Sequence, residues 1–437
     1  MERFFYFYPM MMAAIEDIYE IYLRSSGVNT DTRSVSNNQF FFALKGDNFN
    51  GNAFANKAIE AGALMAVIDE KEFYIEGKTC LVDNVLKTLQ DMAAYHRQQL
   101  DCPIIALTGS NGKTTTKELI NTVLASSYST LCTVGNLNNH IGIPLTLLNI
   151  KKTHEIAIIE MGANHLGEIA SYCEWIQPSI GIITNIGKAH LEGFGGEDGV
   201  RQGKTELYRY IQKNGGELWV NQDDDLLVQN SENIPRNFYG KNNEYFHVTS
   251  IDESQEYLCF DLEYQSTSYR INSKLSGVYN LSNIILAMYA GLFFKIPIEK
   301  IIFQIENYIP TNSRSQIIKK EDYTIILDAY NANPSSMLVA IKNVSSFEPN
   351  TIACLGAMKE LGEATEKEHL AIGELLKKLN IHEVILIGEE FRSTALLYQY
   401  PFFTTSMEAK TYFYAMNKKG KTILIKGSRG SAMEKIL

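Results

Sequence analysis

Between Thr108 and Thr115 the chain reads TGSNGKTT, two glycines and a lysine among hydroxyl side chains. The apolar run IIALT (104–108) leads into it, and a helical pattern begins near Lys113. Strand, glycine turn and helix start together make a phosphate cradle. Glycines at 109 and 112 let backbone N–H groups approach phosphate oxygens, and the helix N-terminus adds positive potential. Lys113 can neutralise the β and γ phosphates, and the Thr114 hydroxyl can bind Mg²⁺. Thr108, Gly109, Ser110, Asn111, Gly112, Lys113, Thr114 and Thr115 are therefore the expected binding residues for ATP with Mg²⁺. The common spacing would put a glycine at Leu107; here it falls at Gly109. A plain turn with an exposed lysine is the bland alternative, but it leaves the coincidence of the four features unexplained.

Three further residues could handle charge. Glu160 closes the run IIE of IIEMGANHLGEI (158–169). A carboxylate at the carboxyl end of a parallel strand faces the ligand crevice, and Mg²⁺ is usually held by one or two carboxylates plus substrate phosphates. His190 lies past the next strand, in TNIGKAHLEGFGG (184–196), and Lys204 lies on a helical stretch, VRQGKTELY (200–208). Alone, each has an ordinary explanation: a helix cap or surface acid, a structural histidine, a helix lysine.

These residues need an α/β frame. Residues 13–25 read as a helix, QFFFAL (39–44) and LMAVID (64–69) as strands around a helix near 52–62, and 84–100 as a helical connector. Strands follow at 104–108, 155–161 and 180–184, alternating with helices, which argues for a mostly parallel sheet covered on both faces. Residues 245–274 alternate as a small antiparallel patch does, and 280–294 reads as a helix. From about Thr311 four strand candidates, 323–328, 351–356, 383–388 and 422–427, alternate with helices as in a dinucleotide-binding fold. No GxGxxG accompanies them, so nothing points to NAD. The expected class is α/β in three domains, 1–83, 84–311 and 312–437.

Composition narrows the function. With 437 residues, 45% hydrophobic and 21% charged, the chain holds enough apolar material for several cores. A net charge of −10 argues against a nucleic-acid partner, which wants a basic face. The six cysteines are scattered without a CxxC, which fits neither a zinc site nor a disulfide frame and suits a reducing cytoplasm. The opening MERFFYFYPMMM is apolar but broken by Pro9, lacks a basic start and is too short to span a membrane. We expect it to be an extension (1–11), with Met12 the working start, and the protein to be cytoplasmic without a membrane span.

TGSNGKTTTKE resembles the ATP loop of the Mur ligases and of their relatives, the folylpolyglutamate synthases. TVGNLNNHIGIPLTLL (133–148) is similar to the segment that lines the acceptor cleft of Mur ligases, with Asn136, Asn138 and Asn139 as its polar positions. A turn-rich loop with asparagines at left-handed positions explains the same residues, and both readings can hold together. GVYNLSNIILA (277–287) resembles the segment whose second asparagine, here Asn283, contacts adenine; Tyr279 replaces the usual histidine. Helix capping by Asn280 is its plain alternative. Arg314, in NSRSQ, and Asp328, ending YTIILD, match positions that reach the γ-phosphate and lie over the nucleotide. The resemblance also makes Thr114, Glu160, His190 and Lys204 the metal-site residues, with Lys204 carbamylated by CO₂. Lys113, Lys204, His190 and Glu160 are the catalytic set that it implies.

The segment Tyr330-Asn331-Ala332-Asn333-Pro334 resembles the branch of the family that adds D-alanyl-D-alanine, as do 355–369 and 423–434, although Ala357 replaces an aspartate. Tyr330, Asn331 and Asn333 are its expected substrate contacts. Thr30-Asp31-Thr32-Arg33 and 40–63 resemble the UDP-binding domain, which makes Thr32 and Arg33 substrate contacts too. The resemblance covers residue 28 to the end. It implies a UDP-binding N-terminal domain, a P-loop central domain and a Rossmann-like acceptor-binding C-terminal domain, in a monomer. The implied reaction is ATP-dependent ligation of D-alanyl-D-alanine to UDP-N-acetylmuramoyl-tripeptide through an acyl phosphate, the tripeptide's third residue being diaminopimelate or lysine. A folylpolyglutamate synthase would lack the first domain, a non-catalytic regulator would have lost Lys113, Glu160 or Lys204, and a motor would show the common loop spacing.

Overall fold

Short apolar runs give this chain mostly parallel strands, because each is buried on both sides. The computed structural model describes residues 14–253, 255–310, 314–347 and 350–437. The N-terminal run 1–13 and the expected domain boundary near residue 311 lie outside them. Two compact units result, divided within the strand Ile104–Thr108. One takes the residues up to 106 with 129–162 and 170–179; the other takes 107–128, 163–169 and 180–437.

In the first unit, Val28–Asn29, Phe40–Phe42, Met65–Ile68 and Thr79–Leu81 form a parallel sheet. Phe41, Ala43, Ala66 and Ile68 pack there against Ala55 and Ala58 of the helix Ala55–Glu60. Helix Val85–Arg97 starts where the Asn84 side chain accepts from Lys87 N. Near its end the buried His96 donates from Nε2 to the Ile150 carbonyl (2.7 Å) and accepts at Nδ1 from the Tyr19 hydroxyl (2.8 Å). The expected helix at 13–25 is shorter, Ile15–Tyr22. Strands Thr130–Cys132 and Ile156–Glu160 pair in parallel, placing Glu160 at a carboxyl end as its position predicts.

In the second unit, helix Lys113–Leu124 packs on the apolar helix Leu281–Phe293. Ile180–Ile183, Glu217–Asn221 and Arg236–Tyr239 run parallel. The antiparallel patch is present as Phe246–Asp252, Cys259–Tyr264 and Thr267–Asn272. A further sheet follows in the order Gln316–Lys319, Thr324–Asp328, Thr422–Lys426, Thr351–Gly356, Glu383–Ile387, Phe402–Phe403. It is parallel except at its first edge. The four strands expected here are its centre. The chain order reverses between 422–426 and 351–356, and a ligand crevice opens at the carboxyl ends of strands at such a point.

All six cysteines are free thiols; Cys102 and Cys132 are half-buried and the others buried. Among the described residues no helix is long and apolar enough to cross a membrane.

Candidate active site

The phosphate loop holds its shape because the segment after the next strand clamps it. Ser110 Oγ donates to the Gly187 carbonyl and accepts from Gly187 N, both at 2.9 Å. Asn111 N donates to Asn185 Oδ1 (3.0 Å), while its carbonyl accepts from Thr184 Oγ1 (2.6 Å) and Asn185 Nδ2 (3.0 Å). Gly109 has φ +147°, and a Cβ on it would lie 2.0 Å from Thr184 Oγ1. Gly112, at φ +78°, leaves room for Asn283, whose Oδ1 would lie 2.8 Å from a Cβ there. Asn283 Oδ1 accepts from Thr116 Oγ1 and its Nδ2 donates to Asn280 (both 2.9 Å), so this asparagine backs the loop. Lys113 Nζ donates to the carbonyls of Gly109 (2.6 Å) and Ser110 (3.3 Å). Thr114 and Thr115 are buried in the first helical turn.

Beside the loop is the crevice of the last sheet. There Gly427 packs against Gly356 and the Met433 side chain: a Cβ on it would lie 2.9 Å from the Gly356 Cα and 2.6 Å from Met433 Cγ. Asp328 and Lys426, level on adjacent parallel strands, form an ion pair, and Asp328 Oδ1 also accepts from Ser315 N (3.3 Å). The Arg314 guanidinium stacks 3.7 Å from the Tyr330 ring centroid. Arg429 approaches the same ring at 5.9 Å. Asn331 Oδ1 accepts from Ala332 N (2.9 Å), which shapes the turn. Tyr279, in the place of histidine, bonds through its hydroxyl to Ser315 Oγ (2.6 Å). His190 Nδ1 meets the Glu360 carboxylate, and both residues have positive φ, 52° and 61°. A cleft is lined by His190, Asn331, Asn333, Lys359, Glu360 and Arg429, among others.

Lys204 is 1% exposed; its Nζ donates to the Ala163 carbonyl (3.2 Å) and lies 5.2 Å from the Phe194 ring. Burial first, and the charge of Lys113 second, push its ammonium well below the ordinary lysine range. Among the described residues no three His, Cys, Asp or Glu side chains converge as a metal site.

In the first unit, Glu160 is buried; its Oε1 accepts from Asn138 Nδ2 (2.7 Å) and its N donates to Thr133 Oγ1 (3.0 Å). Asn139 Oδ1 accepts from Ile141 N and Gly142 N, starting the helix Gly142–Leu148, and Asn136 is exposed. Of the three, Asn139 alone shapes a turn through its side chain, and none takes the left-handed backbone expected of such a loop. Arg33 pairs with Asp31 on the surface beside the half-buried Thr32, and its guanidinium holds the Asp31 carboxyl down to about 2.

The family model described as Mur ligase middle domain matches residues 107–291, the Mur ligase glutamate ligase domain 313–429, and the Mur ligase catalytic domain 24–97. The UDP-N-acetylmuramoyl-tripeptide–D-alanyl-D-alanine ligase of Bacillus subtilis (strain 168) is 34% identical, over 94% of this chain and 92% of its own. The chain belongs to the Mur ligase family. Among solved Mur ligases, MurF from Acinetobacter baumannii superposes with a TM-score of 0.85 at 29% identity, covering 98% of both chains. MurF from Thermotoga maritima, solved with ADP, gives 0.82 at 25% identity, covering 95% of this chain and 96% of its own.

In this Mur ligase several site residues escape the sequence reading. Thr184 and Asn185 brace the loop, Lys426 answers Asp328, and Glu360 meets His190. Their one sequence signal is position, since Thr184, Asn185 and Lys426 each lie at the carboxyl end of an apolar strand.

Proposed function

We propose that the protein joins D-alanyl-D-alanine to UDP-N-acetylmuramoyl-tripeptide with conversion of ATP to ADP and phosphate, yielding the pentapeptide precursor of peptidoglycan. The observation that carries this is the meeting of the braced phosphate loop with the Tyr330–Pro334 turn, through Asn111 and Asn333. The name and near-complete coverage of the Bacillus subtilis relative support the choice of acceptor.

A tripeptide carboxylate oxygen attacks the γ-phosphorus, the bond to ADP breaks, and an acyl phosphate forms. The acceptor amine, having given its proton to water, then attacks the acyl carbon. The C–O bond breaks and phosphate leaves. Lys113 exchanges its two carbonyl partners for phosphate oxygens, a stronger charge-assisted bond. Backbone N–H groups at the start of helix Lys113–Leu124 receive the phosphates. Arg314 keeps a buried Nε without a hydrogen bond among the described residues, a donor suited to the developing γ-phosphate charge. Asp328 lies beside it, and Tyr330 and Asn331 form the acceptor side.

Magnesium, when bound, neutralises phosphate charge. A hard cation that takes most of its ligands from phosphates and water fits so sparse a donor set. In the second unit Thr114 would supply the loop's own oxygen, with His190 and a carbamylated Lys204 as further donors, and in the first unit Glu160 would offer a carboxylate at a strand end. Thr32 and Arg33 take the uridine diphosphate end. Asn136, Asn138 and Asn139 serve the acceptor cleft through loop shape. Domain limits at 83/84 and 311/312, a monomer, a cytoplasmic location and closure of the third domain over the second belong to the same reading.

The test is phosphate release with ATP and Mg²⁺, supplying tripeptide, dipeptide or both. Release that needs both, with the pentapeptide product appearing by mass, is expected. Release only with another amino acid would keep the ligase and overturn the acceptor.

A further inference from the structure

Helix Pro334–Ser345 opens with a capping box: Asn333 Oδ1 accepts from Ser336 N at 2.8 Å, and Ser336 Oγ accepts from Asn333 N at 3.1 Å. A backbone donor on Oδ1 settles which end of this amide is oxygen. Nδ2 therefore points outward as a donor, and it meets Asn111 Oδ1 at 2.8 Å. Asn333 is only 9% exposed. Its target is rigid, because three hydrogen bonds, two accepted from Thr184 and Asn185 and one donated to Asn185, already fix the Asn111 backbone. Two residues on, Ser335 Oγ accepts from Lys188 N at 2.9 Å, and a Cβ on Gly187 would sit 2.7 Å from that oxygen. The first turn of this helix is thus seated on the phosphate loop and on the strand end that braces it. Capping needs only the oxygen of Asn333. The second arm does something a cap does not require.

We propose that Asn333 is a positioning residue: through Asn111 it transmits occupancy of the phosphate loop to helix Pro334–Ser345 and to the acceptor turn 330–333. This rests on reading the loop as the ATP site. Nucleotide that draws the loop N–H groups onto its phosphates moves or stiffens Asn111, and the helix start follows through the one amide. The acceptor side is set only when ATP is in place, an order that suits a reaction whose acyl phosphate must form before the amine arrives.

Asn333→Ser separates the two arms. Serine caps a helix about as well as asparagine but is too short to reach Asn111. Thermal stability should stay close to that of the parent. Hydrogen exchange is read at 334–345 with and without a non-hydrolysable ATP analogue and Mg²⁺, using the full chain. In the parent the analogue should slow exchange there by about fivefold. In Asn333→Ser it should change nothing there while still binding with similar affinity. In turnover, Asn333→Ser should lower kcat about tenfold with little change in the KM for ATP. Asn111→Ala should lower kcat at saturating ATP likewise, and the double variant should be no worse there than Asn111→Ala alone. Parent-like protection in Asn333→Ser, or losses that multiply in the double variant, would overturn the coupling. A parent that binds the analogue without protecting 334–345 also overturns it, with the ATP reading intact. A parent that binds no nucleotide removes the ATP reading and the coupling with it.

Discussion

Lys426 and Asp328 pair across adjacent parallel strands with side-chain exposures of 2% and 17%. The same ammonium donates to the Asn331 carbonyl at 3.3 Å, so the turn 330–333 hangs from it. Lys426→Met strands a half-enclosed carboxylate and releases that turn. Removing one partner of a buried pair costs about 3 kcal/mol, so the urea midpoint should fall clearly. Adding Asp328→Asn should recover most of the loss. A double variant as unstable as the single one would mean that lost packing, and not the stranded charge, is the cause.

Gly109→Ala should weaken nucleotide binding before it harms the fold. A methyl there meets Thr184 Oγ1 at 2.0 Å in a backbone region that L-residues avoid. The loop must shift off its brace, and several N–H groups lose their aim together. We expect affinity for ATP to drop by about a hundredfold, with circular dichroism unchanged. Titration calorimetry checks it, and parent-like affinity would show that the brace does not shape the loop.

Lys204 should respond to carbon dioxide. Burial and Lys113 favour its neutral amine, the form that reacts with CO₂: an N–C bond forms, a proton leaves and a carbamate anion remains. Ligase activity should fall in CO₂-depleted buffer and return with bicarbonate. Lys204→Arg, which cannot form the carbamate, should lose about a hundredfold in kcat. Full activity in depleted buffer would leave Lys204 as a buried structural amine.

Acid should destabilise the fold below neutrality. Burial lowers the pKa of both His96 and His369, each neutral between two hydrogen-bond partners. The unfolded chain takes up protons as pH drops through about 6.5 while the folded one does not. Stability is therefore full above that value and declines as pH falls toward the lowered folded values, by about 1 kcal/mol per histidine at pH 5.5. Urea unfolding at pH 7.5 and 5.5 measures the difference, and His369→Gln should shrink it. An undiminished difference would point to carboxylates instead.

The phosphate loop was legible because strand, turn and helix are neighbours in sequence, and the central strands because their apolar runs are long. Strands Glu217–Asn221 and Arg236–Tyr239 were not, since a short mixed run such as RNFY carries no period. Val28–Asn29 and Phe402–Phe403 are too brief to register. The site's partners were hidden for another reason. Thr184 and Asn185 are more than seventy positions from the loop they clamp, and Asn333 more than two hundred from Asn111. No local pattern carries such pairings; resemblance could point to Asn333 as a substrate contact but not to its outward arm. Asn283 shows the same limit: the resemblance offered it as an adenine contact, while the partners the structure shows are Thr116 and Asn280.

Gly356 and Gly427 are bare because the buried Met433 needs the space: a Cβ on either would lie 2.6 Å from that side chain. The short turn Met433–Ile436 is thus keyed to the two strands like a tongue in a slot. A side chain at either glycine would push the tongue out, so both positions are closed to substitution. Anyone wishing to retune this enzyme should leave those glycines alone.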